Sequence, residues 1–243
     1  MQPLPLLPDA LLPDDILVAT PEDNMGHRDR LRGRLLAGGG DALLDHELIE
    51  YLLMLVIPRV DTKPTAKALL REFGGIGGLL TADPAALTRV KGVSDKSAAA
   101  VKLAHAIALR LLKADVAERP VLANWQALLD YLRADMAHHG IERFRVLHLN
   151  TRNMLIRDEV MSEGSIDQAA VYVREVIGRA LALGSAAIIL VHNHPSGDPS
   201  PSRADITITR TIAEAGLPMG IVLHDHIIMG INGHVSLKAQ GLI

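Results

Sequence analysis

The chain contains no cysteine. That excludes disulfides and every metal site built on thiolate, so a bound metal would need His, Asp and Glu. Aromatic residues make up only 2% of the 243 positions, so the core has to be built from Ala, Leu, Val and Ile. Strong charge of either sign is also missing. The formal net charge is −3, which gives no general attraction to nucleic acid, and any such contact needs a local basic patch. Long apolar runs are absent too: "YLLMLVI" from Tyr51 is far too short to span a bilayer. The opening "MQPLPLLPDALLPDD" lacks the basic start and unbroken apolar stretch of a secretory signal. A cytoplasmic location with no membrane partner is the expectation. What the chain does have is 49% hydrophobic residues, enough for a useful core in one large domain or two small ones.

The texture of the sequence changes along its length. Residues 1–24 are proline-rich without periodicity and are expected to form a flexible tail. Residues 25–113 carry only helical signals and are expected to form a small all-α domain. "DHELIEYLLMLV" starts at Asp45, a candidate N-cap, and "TKPTAKALLREFGG" stops at Gly74 and Gly75. "DPAALTRVKG" offers Asp83 as N-cap and Pro84 at the first helical position. Charge and a proline suggest a linker over residues 114–120. In residues 121–243 helical and strand patterns alternate. "NWQALLDYLRADMAHH" reads as a helix capped by Asn124, "FRVLHLN" as a strand and "SAAIILV" as a short buried strand. "DITITRTIAEAG" reads as a helix, and "MGIVLHDHIIMG" as a strand. The expected fold class is α+β or α/β, with a mixed sheet flanked by helices.

The chemistry concentrates in "VHNHPSGDPSPSRAD", Val191 to Asp205. Residues i and i+2 of a strand share a face, so His192 and His194 aim at one point off the end of "SAAIILV". After a turn at Pro195 and Gly197, Ser200 can cap a helix beginning at Pro201. Ser202 and Asp205, three apart, then share a face of its first turn. Two imidazoles and a carboxylate offer zinc three protein ligands and leave a position open, the arrangement of catalytic rather than structural sites. Zinc so held lowers the pKa of bound water from 15.7 to about 7. A second H-x-H pair, His224 and His226, lies inside a strand with Asp225 facing the other way. It has no downstream carboxylate at helix spacing, which favours a structural or supporting role.

H-x-H, seven residues, then S-x-x-D is the JAMM signature of the MPN/JAB metallopeptidases, and His192, His194, Ser202 and Asp205 match it position for position. Together with "LHDHIIMG", "HRDRLRGRLLAGGGDALLDHELIEYLL" and "IPRVDTKPTAKALLREFGG", the chain from about Met25 onward resembles the bacterial RadC (UPF0758) family. The resemblance implies an MPN/JAB-like sheet domain. It implies one zinc on His192, His194 and Asp205, with Ser202 helping to stabilise the oxyanion. It also implies a general-base glutamate on an early strand. Glu142 in "IERFRVLHLN" matches that placement, with Glu159, Glu163 and Glu175 as competitors. Other H-x-H enzymes fit less well. The residues that name HNH nucleases are dispersed, metallo-β-lactamases follow the pair closely with D-H, and about fifty remaining residues are too few for an amidohydrolase barrel.

In the first half, "LTRVKGVSDKSAAAVKLA" resembles a helix-hairpin-helix turning at Gly92, with Lys91 and Lys96 nearby. Such hairpins can offer backbone N–H groups to phosphate. Ser94 stands where the pattern has a second glycine, so an ordinary helical connection is the competing interpretation. Arg28, Arg30, Arg32 and Arg34 form a basic cluster that either contacts DNA phosphates or pairs with nearby acids. The function expected is hydrolysis of a peptide or isopeptide bond by metal-activated water. The alternatives are a DNA-associated accessory protein and a metal-dependent nuclease.

Overall fold

The computed structural model describes residues 21–164 and 172–243. Of the expected tail, residues 1–20 lie outside the described residues. Residues 21–24 belong to a helix, α1 (Pro21–Gly38). The helices α2 (Asp45–Val56), α3 (Lys63–Glu72), α4 (Ile76–Thr81), α5 (Pro84–Thr88) and α6 (Asp95–Glu118) follow. They close over a core of Ile49, Leu53, Ala66, Leu69, Leu79, Leu87, Ala98 and Val101. Full burial of each large aliphatic side chain contributes about 1.5–3 kcal/mol, which suits a core made without aromatics. Asp83 caps α5 as expected, accepting the Ala85 N–H at 2.8 Å. Asp45, however, is the first residue of α2 rather than its cap. Leu44 holds the cap position, and Glu47 reaches back to the Leu44 N–H at 2.9 Å.

The expected linker at 114–120 is mostly helix, because α6 continues to Glu118. Val116 is completely buried, with Leu109 and Leu112 packed beside it, in the core of the second half. These three recur at helix spacing, and their burial outweighs the local charge that suggested a break. Arg119 and Pro120 end the helix, and α7 (Trp125–Met136) follows a short turn. Asn124 precedes α7, but its side chain donates to the Asp115 carbonyl at 3.2 Å instead of capping.

The second half adds β1 (Glu142–Leu149), β2 (Leu155–Gly164), α8 (Val173–Ala182), β3 (Ala187–Asn193), α9 (Arg203–Gly216), β4 (Val222–Gly230) and β5 (Gly233–Ser236). The sheet order is β2-β1-β3-β4-β5. Only β3 and β4 run parallel; the other pairs are antiparallel. The fold is therefore mixed, as expected. Period-two alternation in β3 divides the core. Ala187, Ile189 and Val191 pack with α6 and α7 on one face, while Ile188 and Leu190 pack with α8 and α9 on the other. All seven β3 residues are buried, so its polar end, His192 and Asn193, is held in the interior. No helix among the described residues is long and apolar enough to cross a membrane.

Candidate metal centre

β3 delivers the first candidate ligand. His192 is 1% exposed and faces the α8/α9 side, paired with Phe144 across the sheet. His194 lies just beyond the strand, held in register by its N–H donating to the Met229 carbonyl at 2.8 Å. Its Nδ1 lies 2.8 Å from the Asp198 carbonyl, which can only accept, so Nδ1 carries the hydrogen and Nε2 turns inward. The two Nε2 atoms are 3.0 Å apart.

α9 delivers the carboxylate, by a cap that differs from the expected one. Ser202, not Ser200, is the N-cap, and α9 starts at Arg203 rather than Pro201. Ser200 instead donates N–H and hydroxyl to Asp198. Ser202 and Asp205 form a reciprocal capping box. The Asp205 N–H donates to Ser202 Oγ at 3.1 Å, while the Ser202 N–H and hydroxyl donate to Asp205 Oδ2 at 2.7 and 2.6 Å. This fixes the carboxylate with Oδ1 3.4 Å from His192 Nε2 and Oδ2 3.8 Å from His194 Nε2. Ligand atoms of His192, His194 and Asp205 all lie within 4.8 Å of one another. Tetrahedral zinc at ordinary bond lengths holds its ligand atoms about 3.3 Å apart. The observed spacing fits that, and so does the N, N, O donor set.

Two of the three protonation states suit a cation. Burial pushes the His192 imidazole down to about 4, against the pull of Asp205, so the ring is neutral at pH 7. Burial alone would raise the Asp205 carboxyl, but contacts from His194, His192 and Ser202 hold it well below the usual carboxylate range. His194 is raised, chiefly by its contact with Asp205.

Glu142 opens β1. Phe144 pairs with His192, and extending that antiparallel register by two residues sets Glu142 opposite His194. One carboxylate oxygen, Oε2, is buried without a hydrogen-bond partner among the described residues. Burial raises its pKa, and it feels both His194, which lowers it, and Asp205, which raises it further. The competitors are elsewhere. Glu159 is held by Arg179 at 2.8 and 3.0 Å, Glu163 pairs with Arg143 at 2.9 Å, and Glu175 is exposed on α8.

A family model described as a RadC-like JAB domain matches residues 122–242, which contain all five of these residues. A UPF0758 protein of Rhodobacter capsulatus is 49% identical over 213 residues, covering 88% of this chain and 100% of the relative. The chain belongs to the UPF0758 (RadC) family. Its second half is a JAB domain, a metal-dependent hydrolase-like fold.

The second H-x-H pair does not act as a pair. A bulge in β4 pairs Ile188 with Leu223 but Ile189 with Asp225, skipping His224. His224 turns to Asn153 Oδ1 at 2.7 Å. His226 stays in register beside Leu190, completely buried, with Nε2 2.8 Å from His192 Nδ1. The shared face expected for His224 and His226 is thus broken, while a supporting place for His226 is observed. Sequence reasoning assigned nothing to Asn193 or Thr209. Asn193 is completely buried and bonds to Arg143, His139 and Ile141, and Thr209 touches His226. The asparagine between two histidines, at the end of a strand whose first five residues are apolar, was a usable signal for the first. Thr209 offered none.

In the first half, Gly92 adopts φ +88°, and Ser94 caps α6. Three of the four clustered arginines are engaged internally. Arg28 donates to the carbonyls of Met54, Ile57 and Val60 at the end of α2. Arg32 pairs with Asp29, and Arg34 with Glu47 and the Ala42 carbonyl.

Proposed function

We propose that this chain is a zinc-dependent hydrolase of a peptide or isopeptide amide, with Glu142 as general base and Ser202 assisting the oxyanion. The observation that supports it most is the convergence of His192, His194 and Asp205 beside a buried, unpartnered oxygen of Glu142. Zinc on those three residues supplies a Lewis acid for the scissile carbonyl and brings water deprotonation into the neutral range. Glu142 takes the water proton and hands it to the leaving amine, and its raised affinity for protons suits that shuttle. Ser202 has one hydroxyl hydrogen, given to Asp205 while the site is at rest. Rotation of the side chain redirects that hydrogen to the substrate oxygen, while the Ser202 N–H keeps its bond to Asp205 at 2.7 Å. A cytoplasmic setting and a single zinc per chain are part of the proposal. The DNA-linked alternatives draw on the arginine cluster and hairpin, yet Arg28 and Arg34 are occupied by the fold itself, which favours amide hydrolysis.

The test combines metal analysis with a panel of peptide and isopeptide substrates. The purified chain is expected to hold about one zinc. Asp205→Ala should lose most of it; unchanged zinc content in that variant rejects the ligand set. Glu142→Gln should keep the zinc and lose about 10²–10⁴-fold in turnover, and full activity in that variant would assign the base elsewhere.

A further inference from the structure

We infer that Thr209 and His226 set the tautomer of His192, and thereby aim a ring lone pair at the metal position. This rests on the metal centre proposed above. It begins one turn into α9, where Thr209 Oγ1 closely contacts the carbonyl oxygen of Asp205. Two oxygens at such range need a hydrogen between them, and the carbonyl has none to give. The single hydroxyl hydrogen of Thr209 is therefore committed to Asp205.

The same Oγ1 lies 2.5 Å from His226 Nδ1. Having donated its hydrogen, the hydroxyl can only accept there, so Nδ1 of His226 carries a hydrogen. A neutral imidazole has one, which leaves His226 Nε2 as an acceptor. That Nε2 is 2.8 Å from His192 Nδ1, so His192 donates from Nδ1 and its own Nε2 is bare. The bare atom is the one facing His194 Nε2 at 3.0 Å and Asp205 Oδ1 at 3.4 Å. Reversing every hydrogen in the series leaves the Thr209 and Asp205 oxygens in contact with nothing between them. Water offers no substitute, because Thr209 and His226 are completely buried and His192 is 1% exposed. His194 is put in the same form from outside, by the Asp198 carbonyl. Both imidazoles thus present a lone pair to one point, two acceptors 3.0 Å apart with no hydrogen between them until a cation fills the space. The tautomer enforced on His192 is the reverse of the Nε2–H form that histidine side chains favour in water. Thr209 and His226 are positioning residues: neither lies in the ligand set.

The experiment reads the ring directly. Long-range ¹H–¹⁵N correlation spectra of metal-free, ¹⁵N-labelled protein should show His192 as the Nδ1–H tautomer. Thr209→Val keeps the shape and removes the hydroxyl. It should convert His192 to Nε2–H and weaken zinc binding about 10–100-fold in chelator competition, the usual effect of losing a ligand's orienting partner. Thr209→Ser should restore the wild-type tautomer and bring affinity back to within a few fold. A wild-type spectrum with His192 as Nε2–H overturns the inference, as does unchanged affinity in a folded Thr209→Val. The wild-type spectrum decides even if the valine variant does not fold. A wild-type protein that shows His192 as Nδ1–H but binds no zinc would sink the proposed function and leave the relay standing.

Discussion

The side-chain oxygen of Asn193 accepts the backbone N–H of Arg143 at 2.9 Å, across fifty residues of sequence. Asn193 lies between the two candidate histidine ligands, and Arg143 follows Glu142. The amide of Asn193 also donates to the carbonyls of His139 and Ile141 at 3.2 and 3.1 Å. One buried side chain therefore ties the strand that carries the proposed ligands to the segment that carries the proposed base. Asn193→Ala should leave zinc content unchanged and lower turnover at least about tenfold, because misplacing a reacting group by about 1 Å has effects of up to about 10²-fold. Measuring zinc and turnover on the same preparation checks it; loss of zinc in step with activity would show that Asn193 instead supports the ligands.

Arg145 is predicted to be a stability residue. It is 6% exposed and clasps Asp158 with two bonds, Nε at 3.0 Å and the guanidinium tip at 2.7 Å, while also contacting Tyr131 and Asp135. The Asp158 side chain has no exposure at all. Arg145→Ala leaves that buried carboxylate only the Tyr131 hydroxyl at 2.5 Å and the Lys113 ammonium at 3.5 Å, and should cost up to about 3–5 kcal/mol, read as a shift of the urea midpoint. A shift below about 1 kcal/mol would mean that water reaches Asp158.

Acid should destabilise the metal-free protein before carboxylates begin to titrate. Burial lowers the His192 imidazole from 6.5 to about 4 and lowers His226 and His148 as well. Between those pH values the unfolded chain takes up protons that the folded chain refuses, so stability falls as pH drops through that window. His194 opposes this. Its raised value adds stability below 6.5 that is lost as pH rises. Burial lowers His138, His139 and His224 as well, so six lowered histidines outweigh His194 and the raised Glu142 carboxyl and set the sign. Thermal melts at pH 7.5, 6 and 5 should show a falling Tm, and a flat or rising Tm would contradict the buried neutral histidines.

Gly230 ends β4 directly beneath the loop after His194. A Cβ there would lie well inside contact distance of the Gly197 carbonyl and press on Pro199. Gly197 itself adopts φ +86°, and its N–H donates to the His194 carbonyl at 2.9 Å. Gly230→Ala should displace this loop and weaken zinc binding more than Gly220→Ala. Gly220 has nothing within 4 Å of its Cβ position, although φ +73° adds some strain there. Equal zinc affinity in the two variants would show that the loop absorbs the clash.

The grouping of His192, His194 and Asp205 was legible from local periods: two along a strand direction for the histidines, and three along a helix turn between Ser202 and Asp205. The exact start of α9 was not, since Ser200 and Ser202 are both competent caps and only the reciprocal bonds with Asp205 choose between them. Asn193, Thr209 and His226 act through partners distant in sequence, and such pairings leave no spacing to read. The bulge that separates His224 from His226 is likewise a property of the ladder, not of either strand alone. The misplaced linker is different. Leu109, Leu112 and Val116 already carried the helical period, and the charge around them hid it.

That continuous helix decides where the chain can be cut. A fragment begun at residue 121 would discard Leu109, Leu112 and Val116 and leave the α7 side of the sheet domain's core without its cover. A fragment begun at Asp95 keeps the whole of α6, and with it the lid over that core, at the cost of baring the face that α2, α4 and α5 pack against. Dissection of this protein therefore offers a choice of which greasy surface to expose, not a clean seam between two separable parts.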